Sequence, residues 1–198
     1  KSIILKQKQM KKILLIIALV LGLTVGANAQ VKSSGFKVIG TAGFGISWVK
    51  GGLFVDGFGG NTNTVFGSVD PQLELTAGGN VSSNLFIGVG IGYEARCGVS
   101  KCNGTQHELK VPATLRFYVS PESSEGFILD IKGGYSRLFA QGDNGLNGGN
   151  LFIGPGYIFD RRFALSLGYE GSYFKYSEMG ETFKWNFNGI AAKFSMEI

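Results

Sequence analysis

The chain has 198 residues, with 19 Lys and Arg, 14 Asp and Glu, a single His, two Cys, 32 Gly and 16 Phe. Five lysines and no acid fall within the first 29 residues; without that leader 14 basic residues face 14 acidic ones, so the formal charge of +5 gives no ground for nucleic-acid binding. Residues 30–198 suit one domain, and their Gly, Phe and Tyr content, with little Ala, Leu or Glu at helical spacing, reads as all-β.

Lys11 and Lys12 precede an apolar run from Ile13 to Val25 that closes on Ala27-Asn28-Ala29. A charged start, an apolar middle and small residues at the end make an export signal, with cleavage expected before Gln30. The run is shorter than the roughly 20 apolar residues a membrane-crossing helix needs. Met10 reads as the initiator, which makes residues 1–9 an upstream extension. The expected organisation is a signal peptide over 1–29 and a barrel domain over 30–198.

From Phe36 onward the chain repeats segments of apolar alternation separated by Gly, Asn, Ser or Asp, a period of two that specifies strand. The first segment puts Phe36, Val38, Ala42, Phe44, Ile46 and Trp48 on one face and Lys37, Thr41, Gly43, Gly45 and Ser47 on the other. A weaker segment, Val69 to Gly78, follows. The third sets Leu85, Ile87, Val89, Ile91 and Tyr93 against Gly88, Gly90, Gly92, Glu94 and Arg96, and the fourth sets Leu109, Val111, Ala113, Leu115, Phe117 and Val119 against Glu108, Lys110, Thr114 and Arg116. Phe127 to Phe139 and Asn150 to Phe159 are the weaker fifth and sixth. In the seventh, Phe163, Leu165, Leu167, Tyr169 and Tyr173 oppose Ser166, Gly168, Glu170 and Ser172.

In the last segment, Lys184 to Ile198, Trp185 and Phe187 share one parity while Ile190, Ala192, Phe194, Met196 and Ile198 share the other, which predicts a bulge near Asn188-Gly189. Pro71, Pro112 and Pro155 predict further bulges or strand starts, because proline removes a ladder donor. The connections alternate in length. Lys50 to Thr64, Gly98 to Thr105, Ala140 to Gly149 and Lys175 to Phe183 form a longer set expected at one end. Gly79 to Asn84, Ser120 to Gly126 and Asp160 to Arg162 form a shorter set at the other.

Cys97 and Cys102 bracket one loop tip of an exported chain and read as a disulfide. A metal site with His107 and Glu108 is the alternative, but the spacing matches no standard zinc pattern. Gly88-Val89-Gly90-Ile91-Gly92 lies within a strand with no helix after it, which excludes a phosphate-cradling loop. Two S-x-x-K matches, at Ser47 and Ser172, lack the helix and partner motif that acyl-transfer chemistry requires. His107 is the one residue placed to act as a general base; beside Glu108 at a barrel rim it reads as structural.

Alternation leaves open which face is outside, since a soluble lipocalin-like barrel with an apolar pocket has the same period. Three features favour an apolar exterior. The opposite face holds glycines and charges that fit the narrow lumen of an eight-stranded barrel. Aromatic residues such as Phe36, Trp48, Tyr93, Phe117, Phe127, Phe139, Phe163 and Tyr173 gather at segment ends, as two bilayer interfaces demand. No strand edge can remain in hydrocarbon, so the last segment must pair with the first.

The segment Leu109-Lys110-Val111-Pro112-Ala113-Thr114-Leu115-Arg116-Phe117-Tyr118-Val119, a proline before an apolar run ending in aromatics, resembles the fourth strand of the small eight-stranded outer-membrane barrels, in particular the porin-like and OmpX-like proteins of Bacteroidetes. The leader ending Ala-Asn-Ala-Gln is similar to that of their exported proteins. Terminal Ile198 departs from the Phe or Trp that ends many of them.

The resemblance implies an up-and-down transmembrane β-barrel in the cell outer membrane. Its implied partners are membrane lipid, the barrel-assembly machinery and an unidentified surface ligand, with no cofactor, no catalysis and a monomeric state. With the apolar face outward, Glu74, Glu94, Arg96, Glu108, Lys110, Arg116, Asp130, Lys132 and Glu170 all fall in the lumen. There they form either a plugging salt-bridge network or a narrow ion path. The favoured function is structural or surface binding through the longer loops; permeation and soluble ligand carriage are the alternatives.

Overall fold

The computed structural model describes residues 35–51, 66–98, 105–119, 125–139, 145–160, 162–178 and 181–198. The expected leader, Cys102 and most of the first long connection lie outside these residues.

Eight strands follow one another: β1 (Phe36–Gly51), β2 (Phe66–Ser82), β3 (Leu85–Gly98), β4 (Thr105–Tyr118), β5 (Gly126–Phe139), β6 (Leu146–Phe159), β7 (Phe163–Glu178) and β8 (Glu181–Glu197). Each pairs antiparallel with its neighbour in sequence, and β1 pairs with β8 to close the barrel. At the seam Val38 N–H donates to the Ile198 carbonyl at 3.2 Å and Ile198 N–H to that of Val38 at 2.8 Å. Closure leaves no edge, so every strand finds ladder partners on both sides.

The up-and-down order puts the connections after β1, β3, β5 and β7 at one end, here the loop end, and those after β2, β4 and β6 at the other, the turn end. Several connections are shorter than expected: β2 runs on to Ser82 opposite Leu85, and β6 begins at Leu146 opposite Leu138. β7 and β8 continue through Tyr176 opposite Phe183 to Glu178 opposite Glu181, so the stretch expected as a loop from Lys175 to Phe183 is mostly hairpin ladder.

The bulge expected at Asn188-Gly189 is absent. Ser47 faces Gly189 and Trp48 faces Asn188 in an unbroken register, and Gly171 faces Asn188 on the other side. The parity switch has another cause: Phe187 is buried inside the barrel, while Ile190, Phe194 and Met196 are exposed outside it. The prolines likewise shift nothing. Each interrupts the ladder to one neighbour and keeps the register: β3–β4 passes from Val89 opposite Ala113 to Gly92 opposite Lys110 around Pro112. β2–β3 passes Pro71, and β6–β7 passes Pro155, in the same way. One missing donor costs one side of one strand, which the other side tolerates. The register shift that does occur lies between Asn80 and Ser82, beside the β2–β3 turn.

The faces are resolved. Phe44 is 51% exposed, Ile91 66%, Leu73 64% and Leu167 58%, all on the outer wall. Glu94, Glu108, Arg116 and Asp130 are buried inside. A soluble carrier barrel would show the reverse, and the lipocalin-like alternative fails on this point.

Candidate functional site

Among the described residues the lumen is where ionisable side chains concentrate, and alternation builds it: in each strand the residues between the outward apolar ones point inward. At the loop end lies an apolar plug of Leu138, Phe174 and Phe187, with Leu146 and Trp185 packed against it. Phe174 and Phe187 meet edge to face with ring centroids 5.9 Å apart.

Beneath the plug sits Arg96. Its guanidinium carbon is 4.2 Å from the Phe187 ring centre. Nη2 lies 2.5 Å from Glu108 and 2.7 Å from Glu94, and Nη1 lies 3.6 Å from Asp70. Ser172 donates to Glu108 at 2.9 Å, and Ser68 donates to Asp70 at 2.7 Å. A cavity of about 10 Å³, edged by Ser47, Asp70, Glu94, Arg96, Ser172 and Phe187, leaves room for about one water.

The middle layer is built on Lys110, which bridges Glu94 and Glu170, the latter at 2.9 Å. Lys193 reaches Glu170 at 3.1 Å and stands 4.1 Å from the Phe152 ring centre. Gln72 donates to the other Glu170 oxygen at 2.7 Å, and Lys132 pairs with Glu74 at 2.7 Å.

The third layer is Arg116, which holds Asp130 and reaches Glu197 at 3.1 Å. Ser166 donates to Asp130 at 2.9 Å, and Tyr118 donates to Glu197 at 3.0 Å. Below it, Ile128, Ile158 and Ala164, with Tyr118 against them, close the turn end.

All nine charged residues singled out in the sequence therefore line the lumen, together with Asp70, Lys193 and Glu197, which were not singled out. Removing a charge from water costs several kcal/mol, and each cation named here has a carboxylate within ion-pair distance. The arrangement is a filled, paired ionic core between two apolar plugs.

The other candidates do not assemble. His107 lies on the outer wall, its Nδ1 within 2.5 Å of the Tyr93 hydroxyl, while Glu108 points inward to Arg96. Adjacent strand residues face opposite ways, so His107 and Glu108 cannot share a metal. Cys97 is exposed at the end of β3, and its expected partner Cys102 is outside the described residues.

The exterior has two aromatic rings. Phe36, Phe117, Phe127 and Phe159 mark the turn end; Trp48, Tyr93, Tyr135 and Tyr173 mark the loop end. An apolar wall banded by aromatics around an ionic centre is the arrangement of a membrane-spanning barrel, which reverses the usual order of inside and outside.

No family model matches the chain, and no curated protein does. Solved structures do. The chain is similar to Neisserial surface protein A, with TM-score 0.53, 13% identity, and coverage of 83% of this chain and 99% of that one. It also aligns with the outer membrane protein OprG from Pseudomonas aeruginosa, at 10% identity and TM-score 0.45, over 83% of this chain and 97% of that one. A third match is Ail, the attachment invasion locus protein of Yersinia pestis, at 12% identity and TM-score 0.34, over 79% and 97%. At these identities the likeness to the Neisserial protein is one of fold: a small closed β-barrel.

Proposed function

We propose that the protein is an outer-membrane barrel that acts through what it carries at its loop end, with the barrel itself serving as a sealed support. The observation that carries this reading is the lumen, closed by Leu138, Phe174 and Phe187 above and by Ile128, Ile158 and Ala164 below, with paired ions between. A conducting pore needs a water path through that stack. The Neisserial relative is a surface protein by name, which supports a surface role here.

Recognition would then rest with the connections after β1, β3 and β5, because binding residues fall disproportionately on loops carried by a rigid scaffold. We read the protein as non-enzymatic, supported by the placement of His107 on the outer wall with Tyr93 as its partner. Membrane lipid and the assembly machinery are its expected contacts, and the monomer its expected state.

Fractionation of expressing cells tests the location: the protein should co-sediment with outer membrane and resist salt extraction. Recovery in the soluble periplasmic fraction would end the reading. Planar-bilayer recording tests the sealed lumen, where a silent protein is expected and steady conductance that changes in Glu74→Gln would favour the channel instead.

A further inference from the structure

The loop-end plug stands on a charged floor. Phe187 covers the Arg96 guanidinium at 4.2 Å, and Trp185 lies beside Phe187 with ring centres 6.5 Å apart. What fixes Arg96 therefore fixes the plug.

Carboxylates from three strands do so. Glu108 Oε2 on β4 accepts from Arg96 Nε at 3.1 Å and Nη2 at 2.5 Å, Glu94 on β3 lies 2.7 Å from Nη2, and Asp70 on β2 lies 3.6 Å from Nη1. Their remaining oxygens accept as well: Glu108 Oε1 from Ser172, Glu94 Oε2 from Lys110 and Asp70 Oδ1 from Ser68. A carboxylate whose oxygens are both engaged as acceptors has no free position for a proton. A proton that arrives sets one donor against another and opens a contact.

The other strands add little charge around Arg96. β1 supplies Ser47, which accepts from Nη1 at 3.4 Å, and β7 supplies Ser172 and, across the small cavity, Glu170. β5, β6 and β8 bring the uncharged Leu138, Leu146 and Phe187. Among the described residues, Asp70, Glu94, Glu108 and Glu170 in the loop half of the lumen share Arg96, Lys110 and Lys193, one acid more than cations. In the turn half Glu74, Asp130 and Glu197 match Lys132, Arg116 and Lys37. One proton balances the loop half. Further protons leave its three cations without acids, and like charges in a narrow lumen repel.

The geometry points to a proton-sensitive latch: the Arg96 layer holds Phe187 and Trp185 closed at neutral pH and releases them in acid, which admits water to the loop end of the lumen. The hold is complete while the carboxylates are ionised and is lost as falling pH protonates them. The wall stays folded, because its closed backbone ladders carry no titrating group. The inference rests on the membrane-barrel reading and adds an acid-triggered state to the sealed support.

The test uses full-length Trp48→Phe protein, in which Trp185 is the sole tryptophan, folded in zwitterionic micelles. Lowering the pH from about 7 to about 3, below the ordinary carboxylate range, should shift Trp185 emission to the red and raise its quenching by acrylamide. The change should reverse on neutralisation and leave the far-ultraviolet β signal intact. Glu94→Gln with Glu108→Gln should show the acid emission already at neutral pH and lose the step. Asp70→Asn still accepts from Ser68 but removes the surplus charge, so its step should move to lower pH; it decides the matter alone if the double variant does not fold. Glu197→Gln at the turn end should leave the step in place. Emission that is the same at both pH values in a folded barrel, a step that survives in the double variant, or one that Asp70→Asn does not move would overturn the inference. Protein with no β signal in micelles would instead defeat the barrel reading, so the two failures are distinct.

Discussion

Arg116 grips Asp130 across adjacent strands with both ends of its fork, Nε to Oδ1 at 2.7 Å and Nη2 to Oδ2 at 2.9 Å. The two residues are direct register partners in β4 and β5, and each is almost wholly buried. The pair is held by geometry on one side and by Ser166 and Ser195 on the other.

Breaking it from one side leaves a lone buried charge in the lumen. Arg116→Met should lower stability by about 3–5 kcal/mol, and adding Asp130→Leu should recover much of that loss. Urea titration of protein folded into phosphatidylcholine vesicles, followed by tryptophan fluorescence, checks both. A double variant less stable than Arg116→Met would count against a lumen held by charge pairing.

The loop-end plug makes a separate prediction. Phe187 packs with Phe174 and Leu138 and also covers the Arg96 guanidinium, so Phe187→Ala should cost about 3–5 kcal/mol. It should still not conduct, because Arg96, Glu94 and Glu108 fill the layer beneath it. Steady current through this variant in planar bilayers would show that the plug alone seals the barrel.

Gly154 and Gly168 approach closely between β6 and β7, where Pro155 interrupts the ladder. A Cβ at Gly168 would come within 2.3 Å of the Ile153 carbonyl and 2.5 Å of Gly154 Cα, so the backbone would have to move. Gly168→Ala should therefore destabilise by about 1–3 kcal/mol. Gly67→Ala, where nothing lies within 4 Å, should be close to neutral. The same urea titration ranks the two, and the reverse order would contradict the β6–β7 packing.

Much of this architecture is legible in the chain. The parity of Phe44, Ile91, Leu115 and Leu167 identifies the lipid wall, and the residues between them, from Glu94 to Glu170, identify the ionic core. What escapes the reading is the lumen's own apolar content. Phe86, Phe152, Phe174 and Phe187 face inward, because a narrow barrel must be filled along its length and capped where it meets water.

The same conflict hid Lys193 and Glu197. Their parity is plain once β8 is taken as regular, but Phe187 on the inner face made the strand look broken near Gly189. Asp70 was obscured by its neighbour Pro71, which marked the start of β2 as weak. The luminal glycines, by contrast, were readable as space for long side chains from the facing strands.

The central claim is that the apolar wall touches acyl chains while the charges lie within. Nitroxide labels at Phe44, Leu75 and Leu167, one at a time in protein with both cysteines replaced by serine and reconstituted in phosphatidylcholine vesicles, report it through collision with dissolved oxygen and with a water-soluble nickel chelate. We expect strong broadening by oxygen and almost none by nickel at all three sites. Strong nickel broadening and weak oxygen broadening at Leu167 would place that wall in water and contradict the account.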